Sequence, residues 1–347
     1  MTLVSGRPYD DEVTRETVAD PAAEEPVEKR LESHRIELTG YCYRMLGSAF
    51  EAEDAVQETM VRAWKGFERF EGRASMRSWL YRIATNVCFD MHGSPQRRAR
   101  PMDLSSPGAA TTPPEAALGA ALPEATWLEP MPDKKVLPEG GDPAEVAAQR
   151  DSVRLAFVAA LQHLPPRQRV VLILRDVLAW KASEVAELLE TSVASVNSAL
   201  QRARATLAAE APADSEPAKP LDADQQRFLE RYVDAFERYD LDALTALMRE
   251  DVILSMPPLP LWLQGPEDIR TWFLGTGAVC RGSRLVPCSA NGMPAFAQYH
   301  PDPESGGHRG WAIQVLEIED GKVTHMNSFL GVDRLFPLFG LPLVLAD

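Results

Sequence analysis

The chain has 347 residues, of which 45% are hydrophobic and 25% are charged, so it is long enough for two or three folded domains. Its formal net charge of −15 excludes a uniformly basic DNA-binding protein, and its 4 scattered cysteines exclude a disulfide framework and a zinc site. The acidic N-terminus lacks an apolar core and no apolar run reaches about 18 residues, so we expect a cytoplasmic protein without a secretory signal or spanning helix.

The acidic residues are unevenly distributed along the chain. Residues 30–100 contain 12 basic against 9 acidic residues, and residues 150–208 contain 8 against 5, whereas the rest is acidic. A basic patch is the usual electrostatic signature of nucleic-acid binding, and these two excesses are small. The pattern indicates two weakly basic DNA-binding segments that depend on a larger partner for the rest of their affinity.

Composition and periodicity divide the chain into folded segments and linkers. Two segments have helical periodicity and are predicted to be all-α, and the last mixes helical with strand-like runs and is predicted to be α+β. In chain order the segments are the disordered acidic tail 1–29, the helical segment 30–98, the linker 99–149, the helical segment 150–208, the linker 209–221 and the α+β segment 222–347. The first linker includes Trp127-Leu128-Glu129-Pro130, whose large aromatic is expected on a protein surface rather than in water.

The first helical segment contains an amphipathic helix over residues 51–67. Asp54 and Glu58 lie on its charged face, and Gln57 lies on the flank of that face. By pattern alone, this is typical of a bundle helix with a solvated charged face.

A second amphipathic helix follows in the same segment. Its apolar residues step by three and four, which places Trp79 in the core and predicts that Asp90 lies on the apolar side. Arg97, Arg98 and Arg100 form a small basic cluster after this helix. Such a cluster suits phosphate groups but is equally ordinary in a loop.

The second helical segment has the pattern of a helix-turn-helix. A helix over residues 167–178 precedes a short helix over residues 183–189, for which Ser183 is the expected cap, and a longer helix over residues 193–207. The outward face of that last helix carries Ser198, Gln201 and Arg202, and Asn197 and Arg204 flank this face. Arg, Gln and Asn are the side chains that read bases in the major groove, so this helix is predicted to enter it.

Taken together, these motifs resemble the extracytoplasmic-function (ECF) family of bacterial RNA polymerase sigma factors. The matching sequences are EDAVQET at 53–59, RAW at 62–64, FEGRAS at 70–75, WLYRIATN at 79–86, LPPRQR at 164–169 and SVNSALQRAR at 195–204. They occur in the family's order and cover roughly residues 30–208. One departure is Glu190, where the family usually has Gly, because the first helix of the motif often ends in a left-handed residue.

The resemblance implies a role for each matching position. Asp54, Gln57 and Glu58 would face the clamp of core RNA polymerase, and the family implies a further contact with the polymerase flap. The −10 element would be melted and held by Phe70, Glu71, Gly72, Arg73, Ala74 and Ser75, with Arg82 and Asn86 lining the single-stranded path. The −35 duplex would be met by Asn197, Ser198, Gln201, Arg202 and Arg204.

The last segment resembles the SnoaL-like, NTF2-like domains, in which three helices pack on a curved sheet. Helices are predicted over 224–238, 241–249 and 266–274, strands over 252–256, 311–318 and 323–329, and a hairpin turn over 319–322. Such cones enclose a pocket, and some relatives are polyketide cyclases with a pocket acid. The candidate pocket residues here are Asp251, Trp262, Trp311 and His325. Attached to a sigma factor, the domain is expected to regulate rather than catalyse.

These observations favour a non-enzymatic sigma factor that uses no cofactor and no metal. Its expected partners are core polymerase and promoter DNA, and further candidates are a separate anti-sigma factor and a small molecule in the C-terminal cone. A stand-alone helix-turn-helix regulator would leave residues 30–92 unexplained. An enzyme built on the cone would require a pocket that contains an acid with a shifted pKa.

Overall fold

The computed structural model describes residues 25–72, 74–91, 98–108, 121–138, 140, 142–210, 223–303 and 306–346. The predicted disordered tail over residues 1–29 falls almost wholly outside these residues, and so does the predicted linker 209–221. Arg73, a predicted −10 residue, and Arg97 also lie outside the described residues.

The first helical segment folds as a helical bundle. Its helices are α1 (Val27–Glu32), α2 (Arg35–Leu46), α3 (Ala49–Gly66) and α4 (Met76–Met91). Gly47 ends α2 in the left-handed conformation, and the Ser48 hydroxyl begins α3 by accepting a hydrogen bond from the Glu51 N–H. Inside the bundle, the hydroxyls of Tyr41 and Thr85 are hydrogen-bonded at 2.7 Å and join α2 to α4.

The prediction for Asp90 is wrong. Its carboxylate is exposed rather than on the apolar side of α4, and it pairs with the Arg62 guanidinium of α3 at 3.2 Å. Val87 and Cys88 are the buried residues of the last turn, and the helical rotation of about 100° per residue carries Asp90 away from them.

The first linker packs between the other segments in the parts that the structure describes. It contains the helical turn α5 (Pro101–Leu104) and two 3-10 turns, Glu124–Thr126 and Asp133–Lys135. Ala99 and Trp127 form a parallel bridge, and Trp127 is 2% exposed. This tryptophan therefore lies inside the protein, as its isolated position in a polar linker predicted.

The second helical segment contains a helix-turn-helix. Its helices are α6 (Pro143–Asp151), which begins in the predicted linker, α7 (Leu155–Gln162), α8 (Pro166–Leu172), α9 (Ala182–Leu188) and α10 (Val193–Glu210), and a π-helical turn, Ile173–Val177, extends α8. Ser183 is not the cap of α9, because the helix begins one residue earlier and the Glu184 carboxylate accepts from the Lys181 N–H at 2.7 Å. Ser192 begins α10, and its hydroxyl accepts from the Ser195 N–H at 3.1 Å.

The turn between α9 and α10 contains Glu190, whose φ of 52° is left-handed. Glu adopts this conformation at a cost of about 1–2 kcal/mol relative to a right-handed residue. The turn thus keeps the geometry that Gly favours, and Leu188 and Val196 on either side of it are buried.

The last segment folds as an α+β domain, here called the cone. Its helices are α11 (Ala223–Glu237), α12 (Leu241–Ala246), α13 (Pro266–Leu274) and α14 (Val332–Phe339), with a 3-10 turn at Thr276–Cys280. Its strands are β1 (Met248–Ser255), β2 (Trp262–Gln264), β3 (Arg284–Ala290), β4 (Met293–Asp302), β5 (Gly307–Glu319), β6 (Lys322–Phe329) and β7 (Val344–Leu345). The sheet order is β2-β1-β6-β5-β4-β3, β7 pairs with β5, and only the β1–β6 pair is parallel.

The hairpin predicted over 319–322 of the cone is present, whereas the helix predicted over 241–249 is shorter than expected. Asp320 and Gly321 join β5 to β6 with positive φ at both positions, which is the geometry of a tight two-residue hairpin. The helix predicted over 241–249 ends at Ala246 instead. The reason is that β1 begins at Met248, which pairs with Val323 of β6.

Both faces of the cone's sheet are buried. On one face, Leu316 and Met326 pack with the helices α11, α12 and α13. On the other face, Ile313 and Val315 belong to the same hydrophobic core as the helical bundle, the linker and the helix-turn-helix. Side chains alternate across a strand, so a single sheet can serve both cores. The three segments therefore share one continuous core.

The apolar run that ends the chain forms α14 and β7. Phe336 of α14 packs edge-on against Tyr299 of β4 with ring centroids 5.1 Å apart, and β7 pairs with β5. Among the residues that the structure describes, no helix is long and apolar enough to cross a membrane.

Candidate nucleic-acid interface

Helix α10 presents a polar face to solvent. Val196, Leu200 and Ala203 are buried, and the rotation of the helix leaves the opposite side outward. The exposed side chains there are the predicted set Asn197, Ser198, Gln201, Arg202 and Arg204. The Arg202 guanidinium donates to the Ser198 hydroxyl at 2.7 Å. This face has the donors and acceptors that a DNA groove requires.

Arg204 differs from its neighbours because it already has an anionic partner. Its guanidinium donates twice to the Asp176 carboxylate, at 2.7 and 2.8 Å, in a bidentate pair. This carboxylate raises the pKa of Arg204 above its ordinary value. The pair fixes the direction of the guanidinium and offsets part of its charge.

The loop before α4 contains an aromatic cluster. Phe70 packs against Trp79 with ring centroids 4.8 Å apart, and Phe67 lies at 6.5 Å from the same tryptophan. Gly72 follows in the left-handed region with a φ of 67°, and open space surrounds the position where a Cβ would stand. Of the predicted −10 residues, Glu71, Gly72, Ser75 and Asn86 are exposed, Phe70, Ala74 and Arg82 are half-buried, and Arg73 lies outside the described residues.

Helix α3 presents Asp54, Gln57 and Glu58 to solvent, the three residues predicted to face the polymerase. The Glu58 carboxylate accepts from Arg62 one turn later at 2.7 Å. The preceding acid, Glu53, forms an ion pair with Lys135 of the linker. The acidic face of α3 is thus partly engaged by its own chain.

The two candidate DNA-reading segments contact each other directly. The Arg82 guanidinium of α4 donates to the Glu187 carbonyl of α9 at 3.1 Å. Trp180, which precedes α9 and is 5% exposed, packs against Tyr81 with ring centroids 5.1 Å apart and lies beneath the Arg77 guanidinium. A predicted −10 residue is therefore held by the helix-turn-helix.

Asn291, in the turn between β3 and β4, joins all the segments. Its Oδ1 accepts from the Met131 N–H of the linker at 3.0 Å. Its Nδ2 donates to the Tyr43 hydroxyl of α2 at 2.6 Å and to the Val153 carbonyl, just before α7, at 2.8 Å. The side chain is completely buried. The three partners of the Asn291 side chain thus lie in three different parts of the chain: the linker, the helical bundle and the segment of the helix-turn-helix.

Charged side chains reinforce the same junction. Arg154, before α7, lies 3.8 Å from the buried Glu317 carboxylate of β5. Arg44 of α2 donates to the Ser152 carbonyl at 3.2 Å, and burial lowers the pKa of this arginine to about 10. Buried charges are stable only when they are paired and hydrogen-bonded, so these contacts fix the orientation of the segments.

The linker adds a second junction at the start of α3. Arg98 pairs with Glu51 at 2.6 Å and donates to the Trp127 carbonyl at 2.8 Å. The Ser48 hydroxyl donates to the Glu129 carboxylate, and burial raises the pKa of Glu129 to about 7. Arg98, directly before the linker, and Glu129 within it therefore hold this part of the chain on the start of α3.

The candidate pocket residues of the cone lie apart. Trp262 donates to the Ser105 carbonyl of the linker at 3.0 Å. His325 lies 3.7 Å from Glu317, whereas Trp311 stacks on the His300 ring at 4.2 Å. Trp311 is six residues before Glu317 on β5, which separates them by about 20 Å. Asp251 is exposed and pairs with Arg249, so it does not face an interior pocket.

The interior of the cone contains a chain of buried polar side chains. Tyr232 donates to Gln314 at 3.1 Å, Gln314 donates to Gln298 at 2.7 Å, and Gln298 contacts the His300 ring at 3.0 Å. Burial lowers the pKa of His300 to about 4, so the imidazole is neutral at pH 7. These groups satisfy one another. Within the described ranges, no cluster of His, Cys, Asp and Glu is suited to hold a metal ion.

Sequence reasoning missed Asn291 as a functional residue. The dipeptide Asn291-Gly292 is a strong hairpin signal, and a search for it would have found the β3–β4 turn. Its partners lie 138 to 248 residues away, and no local pattern reports contacts at that separation.

Three family models match the chain. Sigma-70 region 2 matches residues 31–98, Sigma-70 region 4 matches residues 154–207, and the SnoaL-like domain matches residues 229–326. The ECF RNA polymerase sigma factor SigG of Mycobacterium tuberculosis is 43% identical over 335 residues, which cover 94% of this chain and 88% of that protein. The probable ECF RNA polymerase sigma factor SigI of the same organism is 25% identical over 90% of this chain and 96% of that protein.

A solved structure has a similar fold. The crystal structure of the M. tuberculosis extracytoplasmic function sigma factor SigJ superimposes with a TM-score of 0.56 at 22% sequence identity. The superposition covers 91% of this chain and 99% of that one. The order of two helical domains and an α+β domain is therefore shared over nearly the whole length.

Proposed function

The chain belongs to the ECF RNA polymerase sigma factors, and from this membership we propose that it binds core RNA polymerase in the cytoplasm and reads the −10 and −35 promoter elements. We further propose that the cone and the linker hold the protein in a closed state that cannot engage a promoter. The observation that supports the closed state best is the direct contact of α4 with α9, through Arg82 and the Glu187 carbonyl.

DNA geometry explains why this contact is incompatible with promoter binding. The −10 and −35 elements are about 25 base pairs apart, which is about 85 Å along B-DNA at 3.4 Å per base pair. In the closed state, Arg82 from the proposed −10 surface touches the helix-turn-helix that carries the −35 surface. One chain in this arrangement cannot reach both elements. Promoter binding then requires the bundle and the helix-turn-helix to separate.

The cone supports the closed state because it binds both halves at once. Asn291 contacts α2 through Tyr43 and the helix-turn-helix segment through Val153. Arg154 adds a charged contact to Glu317. A domain that contacts two others only in one arrangement stabilises that arrangement by the free energy of both sets of contacts. We therefore assign the cone a modulating role.

An enzymatic role for the cone has less support. Its buried polar side chains Tyr232, Gln314 and Gln298 satisfy one another. The predicted pocket residues Trp262 and His325 are engaged with the linker and with Glu317. A catalytic pocket would instead present unpaired polar groups that converge on a cavity.

Replacement of Arg202 by Ala tests the assignment of α10 to the −35 element. If Arg202 reads a base, the variant should lose about 1–3 kcal/mol of binding free energy and relax discrimination at one −35 position. The measurement is promoter binding by the holoenzyme on a set of single-base −35 substitutions at several salt concentrations. A uniform loss with a salt slope smaller by about one indicates a phosphate contact instead.

Arg238→Ala is the matched control for this substitution. Arg238 is also an exposed arginine that pairs with a side chain four residues earlier, the Asp234 carboxylate at 3.1 Å, but it directly follows α11 in the cone. It should leave binding unchanged. Equal affinity, discrimination and salt slope for Arg202→Ala and the wild type would remove Arg202 from the interface.

A further inference from the structure

A groove of about 370 Å³ lies beside the acidic face of α3. One wall is formed by α2, including Arg35 and Thr39, and the floor by α3, including Asp54 and Gln57. The remaining wall is the linker turn Asp133–Lys135, which contributes both of its lysines. The proposed polymerase-binding surface is therefore composite, since part of it comes from the linker.

The linker turn Asp133–Lys135 is bound to both the helical bundle and the cone. Lys135 forms an ion pair with Glu53 of α3, and Lys134 donates to the Phe339 carbonyl at the end of α14, at 3.0 Å. The Asp133 carboxylate accepts from the Gly292 N–H in the β3–β4 turn at 2.7 Å. The preceding Met131 donates its N–H to Asn291. Movement of this turn would loosen the cone from the bundle.

The charges around the groove indicate which partner fits it. Glu53 and Asp54 of α3 line the groove and Glu58 follows one turn later on the helix, whereas the Arg35 guanidinium is paired with Glu32. These carboxylates attract a cationic segment. The ammonium groups of Lys134 and Lys135 oppose such a segment while the turn is in place. A cationic partner thus binds more tightly once Lys135 has left Glu53. This difference in affinity can shift the equilibrium from the docked to the released position of the turn.

We propose that the turn Asp133–Lys135 couples polymerase binding to release of the cone. A cationic segment of core polymerase takes the place of Lys135 on Glu53, the turn moves, and its bonds to α14 and to the β3–β4 turn are lost. This inference rests on the proposed binding of core polymerase to α3. Coupling is reciprocal, so the docked turn must weaken polymerase binding by the same factor by which polymerase weakens docking of the turn.

The test uses the full chain and core RNA polymerase as the probe. Hydrogen exchange of the Met131 and Gly292 amides, which donate to Asn291 and Asp133, should accelerate in the wild type when core polymerase binds. Lys135→Ala should bind core polymerase about 3- to 10-fold more tightly, because the competing cation is gone. Lys135→Arg keeps the cation and should bind as the wild type does.

Lys322→Ala is the matched control. Lys322 is likewise a lysine that forms a side-chain contact, a hydrogen bond to the Ala246 carbonyl at 2.6 Å, but it lies in the β5–β6 hairpin and away from the groove. Unchanged exchange at both amides on polymerase binding, or equal affinities of Lys135→Ala and the wild type, would overturn the coupling while leaving polymerase binding intact. A wild-type chain that does not bind core polymerase at all would overturn the proposed function as well.

Discussion

Replacement of Asn291 by Gly should open the closed state. The substitution removes three buried side-chain hydrogen bonds, to Met131, Tyr43 and Val153, each worth about 0.5–1.5 kcal/mol. Gly tolerates the φ of 57° at this position, so the backbone of the turn is not strained by the change. We expect docking of the cone to weaken by about 2–4 kcal/mol, or about 30-fold or more.

Small-angle X-ray scattering of the free chain measures this effect. The radius of gyration should rise for Asn291→Gly, because the bundle, the helix-turn-helix and the cone no longer share one packed junction. Asp320→Gly is the matched control: it removes an exposed side chain at a φ of 48°, in a β-hairpin outside the junction. A scattering profile of Asn291→Gly that matches those of the control and the wild type would contradict the role of Asn291.

The double replacement Asp54→Arg with Glu58→Arg should abolish assembly with core polymerase. Both carboxylates are exposed on one face of α3, whereas the apolar face of the helix packs in the bundle. Helical content should therefore stay at the wild-type value. Placing two cations against a cationic partner costs several kcal/mol, which corresponds to an affinity loss of more than about 100-fold. Co-elution with core polymerase on a sizing column measures the loss.

Glu230→Arg with Asp234→Arg controls for the change in net charge. These two acids are also exposed and four residues apart on one helix, but the helix is α11 of the cone. The control should co-elute with core polymerase as the wild type does. Assembly of the Asp54 and Glu58 double variant would show that this face of α3 is not the polymerase contact.

Local sequence patterns predicted the helices of both sigma regions because a helix is determined largely by residues three and four positions apart. The apolar spacing of α3 and α10 defines one inward face in each, and the structure buries these faces except at the start of α10, where Val193 is exposed. Caps were less predictable: Ser183 has the right chemistry, yet the chain places Lys181 at the start of α9 and uses the Glu184 carboxylate there. Several neighbouring residues can cap the same helix, and the start of a helix shifts easily by one or two residues.

The junction between the domains could not be predicted from the sequence in the same way. Trp127 signalled that the linker contacts a protein surface, but no pattern specified which one. The bonds of Asn291 to Tyr43 and of Arg44 to Ser152 join residues that are 248 and 108 positions apart. Each of these side chains is polar and ordinary in its local context. Their role arises only when distant segments fold together.

The distance between the bundle and the helix-turn-helix tests the closed state most directly. Fluorophores on Ser33→Cys, between α1 and α2, and Ala208→Cys, near the end of α10, occupy exposed positions, and Cys288→Ser removes the half-buried native thiol. Energy transfer should report a distance in the holoenzyme on promoter DNA that is longer by tens of ångströms than the distance in the free chain. The same distance in the free chain and in the holoenzyme would contradict the proposal that the closed state cannot engage a promoter.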